Sequence, residues 1–266
     1  MVSRRALLKK AYRKKDTQLS QQAHSKVSIK EALTHPDHHQ DSGKYIGDAV
    51  YGAIDGIVTT FAIVSGVVGA DLSPNIILIL GFANLLADGF SMAAGNYLST
   101  KSEHAYEQQE YERESWEIEN YPEGEIEEIR QIYRKKGFKG KDLERAVKII
   151  TSDKERWLRC MMIEELGILQ DDKSATKGAL VTFFSFLLCG FLPLLTFVLI
   201  YFFPQLETRA FLYSCIMTAL TIFLVGSLRS LLIAKSWLMA GLEMLLVGGA
   251  AAAVSYLIGY LLSGLA

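Results

Sequence analysis

The sequence predicts an all-α membrane protein with five transmembrane helices and a cytoplasmic three-helix metal-binding insert, assembled as a homodimer. Half of its 266 residues are hydrophobic, the mean hydropathy is +0.19 and the formal net charge is −1. Apolar and charged residues separate along the chain, which divides into four blocks: a polar, basic tail (1–43), an apolar block (44–100), a charged block (101–177) and a second apolar block (178–266). Two apolar blocks around a charged one favour a multi-span membrane protein with a single soluble insertion.

Five segments are apolar over the roughly 20 residues that a membrane-spanning helix needs. They cover roughly 46–70, 75–100, 178–203, 210–232 and 237–264. The basic start of the chain is followed by no apolar run of the kind found in signal peptides, so we expect no cleavable signal. The three cysteines are far apart and include no C-x-x-C pair, which indicates neither a disulfide framework nor a thiolate metal site.

The distribution of basic residues predicts the orientation. With five spans, the basic tail, Lys101 after the second span, and Arg229 and Lys235 before the fifth all lie on one side. The positive-inside rule makes that side cytoplasmic, so the N-terminus and the insert are expected there. An odd number of spans leaves no inverted repeat to complete a two-part pathway, and a homodimer with a pathway between two copies is the economical solution. We expect a prokaryotic plasma membrane in preference to a vacuolar one.

The first two spans carry ionisable side chains at depths where charge is costly. Asp48 and Asp55 are seven residues apart and share a helix face, and Asn84, Asp88 and Met92 follow each other at intervals of four. A charged group within a span costs about 2.5–3.5 kcal/mol on insertion scales and commonly marks a pathway. These five residues are the candidate transport pathway. Asp48 also suits a position at the cytoplasmic interface.

The charged block begins with a helical stripe of glutamates that continues the second span. From Ser102 to Glu128 there are eleven Glu, and Arg113 is the only Lys or Arg. Like charges at intervals of three and four repel each other, so the stripe is unfavourable without a bound cation. Its members are Glu103, Glu107, Glu110, Glu114 and Glu117.

Two further helical stretches supply more candidate ligands. Glu125 and Glu128 lie in a helix that starts after Pro122, and a third stretch, 141–169, contains "CMMIEELGI". In that motif Met161, followed by Met162, stands four residues before Glu165, so the thioether and the carboxylate share a helix face. Three short helices can therefore bring carboxylates and a thioether together.

Carboxylates with an occasional thioether indicate a borderline first-row divalent ion, Fe²⁺ before Mn²⁺, Co²⁺ or Zn²⁺, because more sulfur would be needed for Cu⁺. An acidic, merely solvated helical bundle is the alternative interpretation. The segment "HPDHHQD", with His35, His38 and His39, could also bind metal, but a linker next to the membrane is the better interpretation.

These residues resemble the vacuolar iron transporter family from about Gly47 to the end of the chain. The resemblance rests on "DGIVTTFAIVSG" in the first span, "FSMAAGNYLSTKSE" at the end of the second, the E-x-x-E pairs and "MMIEELG". It implies a five-span homodimer whose cytoplasmic helical domain collects Fe²⁺ and whose membrane interface carries it across in exchange for protons.

By position, Asp55 and Met92 match the membrane-pathway residues of that family. The matches to its cytoplasmic metal ligands are Glu114, Glu117, Glu125, Glu128, Met161 and Glu165, with Met162 adjacent. The sequence departs from the family pattern at Asn84, where better-known members have a glutamate, while an acid stands one turn later at Asp88. Either the pathway charge has moved by one turn in this sequence, or its proton coupling differs from that of the family. The resemblance therefore implies metal transport more strongly than proton exchange.

The leading functional hypothesis is an exporter of cytosolic Fe²⁺ that works by proton antiport. A manganese or broad divalent-metal exporter is the alternative within transport. A membrane-bound di-iron, ferritin-like enzyme would need Glu-x-x-His motifs, and the only histidine of the insert, His104, follows Lys101 at that spacing. A metal sensor does not explain the acids within the spans. We expect divalent metal ions, protons, a second copy of the chain and the lipid bilayer as partners, and neither nucleic acid nor an organic cofactor.

Overall fold

The computed structural model describes residues 8, 10–12, 14–25, 41–169, 172–230 and 236–265. The histidine segment around His35, His38 and His39 lies outside these ranges. Within them the chain is helical, and two short 3₁₀ segments, Pro204–Arg209 and Ser263–Leu265, accompany the α-helices. The α-helices are α1 (Thr17–Ala23), α2 (Asp41–Lys44), α3 (Ile46–Gly69), α4 (Pro74–Asn120), α5 (Pro122–Lys135), α6 (Gly140–Thr151), α7 (Lys154–Glu164), α8 (Ala175–Ile200), α9 (Ala210–Arg229) and α10 (Trp237–Leu262).

Among the described residues, five helices are long and apolar enough to cross a membrane, as the sequence predicts. They are α3, the first part of α4, α8, α9 together with the 3₁₀ turn before it, and α10. The third span starts three residues earlier than expected because the Ser174 side chain accepts a hydrogen bond from the Lys177 backbone N–H (3.4 Å) and so caps α8 at Ala175. Few side chains on α10 and on the spanning part of α4 are buried in the single chain, as in lipid-facing or partner-facing helices.

Helix α3 lies at the centre of the spanning bundle and contacts α4, α8, α9 and α10. Gly52 and Gly56 allow its close approach to α8, because a Cβ at either position would collide with the backbone carbonyl of Thr182 or Phe186. Small residues at a four-residue spacing bring membrane helices together in this way. The glycines therefore fix the packing of the helix that carries Asp48 and Asp55.

Helix α4 joins the bundle to a second helical unit. Its 47 residues would extend about 70 Å at 1.5 Å per residue, whereas the hydrocarbon core of a bilayer is about 30 Å thick. The far half of α4 packs against α5 and α7, α6 packs against the same two helices, and this unit has its own hydrophobic core. Its buried members are Ile118, Ile129, Leu143, Val147, Trp157, Leu158, Met161 and Met162.

The predicted single helix over 141–169 was wrong, since this stretch forms two helices. Helix α6 ends at Thr151 and α7 begins at Lys154. Asp153 has an extended backbone, and its side chain accepts a hydrogen bond from the Arg156 N–H at 2.8 Å, which caps α7. Gly167, with φ +68°, lies just beyond the end of α7. The turn between α6 and α7 sets the angle at which α7 returns towards α4.

Candidate metal centre and membrane pathway

Glu114 is the centre of a carboxylate cluster between α4, α5 and the end of α7. Its side chain is fully buried, and it belongs to two groups in which one carboxylate oxygen of each residue lies within 4.8 Å of the others. The first group adds Glu117 and Glu125, and the second adds Glu128 and Glu165. The structure thus brings together all five glutamates that the resemblance assigns to metal binding.

The hydrogen bonding of this carboxylate cluster is incomplete. Both oxygens of Glu114 and Oε2 of Glu125 are buried without a hydrogen-bond partner. Arg113 supplies some positive charge, with guanidinium nitrogens 2.9 Å from Glu110 and 3.6 Å from Glu114, and it also pairs with Glu117. One half-exposed cation shared by three acids leaves net negative charge beside buried oxygens that lack donors. Buried carboxylates of this kind require a proton or a bound cation.

The pKa values of the cluster reflect this environment. Burial, reinforced by repulsion from Glu125, raises the pKa of Glu114 to about 7. Burial and the charge of Glu128 raise the pKa of Glu125 to about 7, and burial with repulsion from Glu114 does the same for the pKa of Glu165. These carboxyl groups exchange protons near neutral pH, so a divalent cation that binds here displaces protons.

Met161 and Met162 lie in the apolar core beneath the cluster. Met161 is fully buried and Met162 is 4 % exposed, and both belong to the core of the α4–α7 unit. Glu165 follows Met161 by one turn and forms the C-terminal cap of α7, where its backbone N–H donates to the Met161 carbonyl (3.0 Å). A ligand role for the Met161 thioether stays a prediction.

The other three glutamates of the stripe lie outside both carboxylate groups. Glu110 pairs with Arg113, Glu107 is half-buried, and Glu103 accepts a hydrogen bond from the Ser99 hydroxyl at 3.2 Å. Glu103 also lines a groove near the membrane end of the stripe, together with Met92. Along α4, Met92 and Glu103 are eleven positions apart, which is about 16 Å at 1.5 Å per residue. Glu103 and Glu114 are separated by the same number of positions.

The acids of the spanning helices lie on two neighbouring helices, α3 and α4. Asp55 on α3 and Asp88 on α4 are both half-buried, and their carboxylates are close enough to repel each other. One turn before Asp88, the side-chain nitrogen of Asn84 is buried without a hydrogen-bond partner. One turn after it, Met92 packs against the apolar core of the bundle. The stripe that the sequence predicts on α4 is therefore directed into the bundle beside Asp55.

Asp48 lies in an ion pair that the sequence did not predict. Its Oδ1 lies 2.9 Å from the Lys173 ammonium nitrogen and accepts a hydrogen bond from the Asn96 side-chain amide at 3.0 Å. Lys173 is 125 residues away along the chain, just before α8. The only sequence signal for this pair is a lysine at the boundary between the charged block and the third span. Asp48 lies in the first turn of α3 and lines a groove together with Met92 and Glu103.

Together, five spanning helices and an acidic helical unit with its own core define an integral membrane protein. The chain belongs to the VIT family, whose model matches residues 46–260. It is 37% identical over 261 residues to the vacuolar iron transporter of Toxoplasma gondii, covering 95% of this chain and 86% of the relative. Identity is 35% over 260 residues to the Plasmodium berghei vacuolar iron transporter, covering 96% and 94%. Vacuolar iron transporter 1 of Arabidopsis thaliana is 31% identical over 238 residues, covering 87% and 94%.

Proposed function

We propose that this protein exports Fe²⁺ from the cytosol across its membrane in exchange for protons. The names of its relatives support iron as the cargo. The observation that carries the proposal is the buried carboxylate of Glu114, which has no hydrogen-bond partner and lies among four further glutamates. A cluster of carboxylate oxygens with net negative charge suits a divalent first-row cation.

Carboxylates also suit the coupling to protons. Glu114, Glu125 and Glu165 have pKa values of about 7, so each holds a proton or a share of the metal at cytosolic pH. Asp55 and Asp88 form a second pair of acids within the membrane, where either a proton or a divalent ion relieves their repulsion. Binding of one cation then releases the other, which is the requirement of an exchange cycle.

The proposed route follows α4. The α4–α7 unit, placed on the cytoplasmic side by the positive-inside rule, collects the ion at Glu114. The ion then passes Glu103 and Met92 to the acids Asp55 and Asp88 and leaves on the opposite side. The exposed apolar faces of α4 and α10 offer surfaces for the second copy of the proposed homodimer. The preference for a prokaryotic plasma membrane over a vacuolar one stays a prediction.

Proteoliposome flux tests this proposal. The purified chain is reconstituted, Fe²⁺ is kept reduced with ascorbate, and metal entry and internal pH are followed with two dyes. We expect metal to enter the liposomes while internal protons are released. A pH gradient with the acidic side inside the liposomes should accelerate metal entry. Metal entry that neither depends on the pH gradient nor moves protons would refute the antiport. Equal entry into protein-free liposomes would refute transport.

A manganese or broad divalent exporter is the second candidate. It is favoured by the carboxylate oxygens of the two groups and by the packing of Met161 in the apolar core. Oxygen ligands suit Mn²⁺, whereas a thioether favours softer ions. Competition of Mn²⁺ with Fe²⁺ in the same flux assay separates the candidates, because an iron-selective protein keeps its Fe²⁺ flux at equal Mn²⁺.

A further inference from the structure

We propose that Lys173 acts as a tethered cation that closes the cytoplasmic mouth of the membrane pathway, and that the travelling metal ion must displace it from Asp48. The inference rests on the proposed transport function and names the residue that controls entry. It depends on a groove of about 450 Å³ at the boundary between the two helical units. Asp48, Met92, Glu103 and Lys173 all line this groove.

The ammonium of Lys173 occupies one oxygen of a buried carboxylate. Asp48 is only 8 % exposed, and its Oδ1 receives both the Lys173 ammonium (2.9 Å) and the Asn96 amide (3.0 Å). Asn96 is itself held by a hydrogen bond to the Thr182 hydroxyl (2.9 Å). The carboxylate is therefore fixed in place by α4 and α8, while its charge is balanced by a side chain with four rotatable methylenes.

The second oxygen of Asp48 is buried and has no hydrogen-bond partner. It lies against Gly178, where a Cβ would stand 3.2 Å from it. A carboxylate with one unpartnered oxygen, in a groove that also contains the Met92 thioether and the Glu103 carboxylate, offers the donors of a borderline divalent ion. A divalent cation gains more from these two acids than a single ammonium does, so it can displace Lys173.

The backbone beside Lys173 is anchored, whereas its side chain is long. The Ser174 N–H donates to the Tyr45 hydroxyl at 3.1 Å, which ties the start of α8 to the residue before α3. A lysine ammonium is a compact charge on a flexible stem, so it can leave the carboxylate without movement of the chain. Lys173 also follows the acidic unit directly, so the ion meets it between the collection site and the spanning acids.

A purely structural ion pair makes a different prediction. If Lys173 only fastens α8 to α3, its removal lowers the unfolding temperature and the maximal flux, and the metal concentration for half-maximal flux (KM) is unchanged. If Lys173 competes with the metal, its removal lowers the KM. The two roles are therefore separated by the KM rather than by the loss of activity.

The test measures Co²⁺ flux into proteoliposomes for the full chain and four variants. Lys173→Gln should lower the KM by about fivefold, equivalent to about 1 kcal/mol. Lys177→Gln, an exposed lysine one turn along α8, is the control and should keep the wild-type KM. Lys173→Arg should raise the KM, because a guanidinium holds a carboxylate with two parallel hydrogen bonds. Asp48→Asn should raise it as well, because it removes one of the carboxylates to which the metal binds in the groove.

A KM for Lys173→Gln that equals or exceeds that of Lys177→Gln, with wild-type flux intact, overturns the inference. If Lys173→Gln does not fold, the inference is tested with Lys173→Arg and Asp48→Asn. A KM that equals the wild-type value in both of these variants overturns the inference. A wild-type protein that carries no metal refutes the proposed function instead, so the two failures are distinguishable.

Discussion

The two acidic regions of the molecule differ in how their charge is balanced. In the carboxylate cluster around Glu114, five glutamates converge, three have pKa values of about 7, and Arg113 is the nearby cation. In the membrane, Asp55 and Asp88 form a single pair on two facing helices. The carboxylate cluster around Glu114 offers a cation several carboxylates at once, whereas Asp55 and Asp88 offer two.

This difference suggests a division of labour. A site with many ligands retains its ion, and a site with few releases it readily. Helix α4 carries members of both regions, about 39 Å apart from Asp88 to Glu114 at 1.5 Å per residue, so one rigid element connects them. We therefore propose that the cluster selects and captures the metal ion, and that the pair of aspartates carries the ion across the membrane.

The largest expected effect is the loss of transport in Asp55→Asn. The substitution keeps shape and polarity but removes the charge and the proton exchange of the residue next to Asp88. Flux should fall to the level of empty liposomes, while Co²⁺ binding by the detergent-solubilised protein, measured by calorimetry, should be unchanged. Asp71→Asn is the matched control, because Asp71 is exposed in the loop after α3 and its φ of +57° suits asparagine. Loss of Co²⁺ binding in Asp55→Asn would contradict the separation of the two regions.

Asp88→Asn should be nearly as severe. Asp88 is the acid of α4 whose charge acts on Asp55. Removing its charge leaves a single carboxylate for a divalent ion in a low-dielectric setting. Met92→Leu, by comparison, should slow flux without stopping it, because both carboxylates remain. A fully active Asp88→Asn protein in the liposome assay would make Asp88 a structural residue.

Glu114→Gln combined with Glu117→Gln should weaken Co²⁺ binding by about tenfold or more, or about 1.4 kcal/mol, because charged ligands are replaced by neutral amides. The same change should raise the unfolding temperature of the metal-free protein, since it removes self-repelling charge. Glu112→Gln with Glu119→Gln is the control, as both are exposed on the same helix. Equal Co²⁺ affinity in the two double variants, by calorimetry, would rule out the cluster as the binding site.

The stability of the metal-free protein should fall as the pH rises from about 4.5 to about 7. Glu114, Glu125 and Glu165 have pKa values raised from 4.5 to about 7 in the folded chain. A carboxyl group whose pKa is higher when folded stabilises the fold fully below its unfolded pKa and loses that contribution as the pH passes the folded pKa. Metal affinity should rise over the same increase in pH, because metal binding requires deprotonated carboxyl groups. Thermal denaturation and Co²⁺ titration across this range check both trends, and a flat stability profile would contradict the assigned pKa values.

The smallest effect concerns Met161. Met161→Leu preserves the apolar volume but removes the thioether, so metal selectivity should shift towards harder ions such as Mn²⁺ by a few-fold while stability changes little. Competition of Mn²⁺ with Co²⁺ in the binding assay measures the shift. An identical preference in both proteins would make Met161 a core residue only.

Much of this organisation follows from local sequence pattern. The five spans are continuous apolar runs, and the glutamate stripe has a helical spacing that continues one of them, so length and periodicity were sufficient to predict both. Stripe membership does not determine burial, because Glu114 is buried whereas Glu103 on the same stripe is exposed. The sequence also places Asp55, Asp88 and Met92 in the first two spans, and their shared role in a transport pathway stays a prediction.

Other features depend on contacts between distant residues. The Asp48–Lys173 pair joins residues 125 positions apart, and the Asn96 amide completes it from a third helix. The break between α6 and α7 depends on a side-chain cap at Asp153, in a stretch whose hydrophobic periodicity is otherwise continuous. Such contacts are decided by tertiary packing, and no single-helix pattern contains them.

The most direct test of the division between capture and crossing is a saturation curve of Co²⁺ flux for Glu114→Gln combined with Glu117→Gln. If the cluster captures the ion and Asp55 with Asp88 carries it across, the KM should rise by about tenfold, in step with the loss of affinity, while the maximal flux stays near the wild-type value. A maximal flux that collapses at every Co²⁺ concentration, with an unchanged KM, would contradict the account and make the cluster part of the crossing step itself.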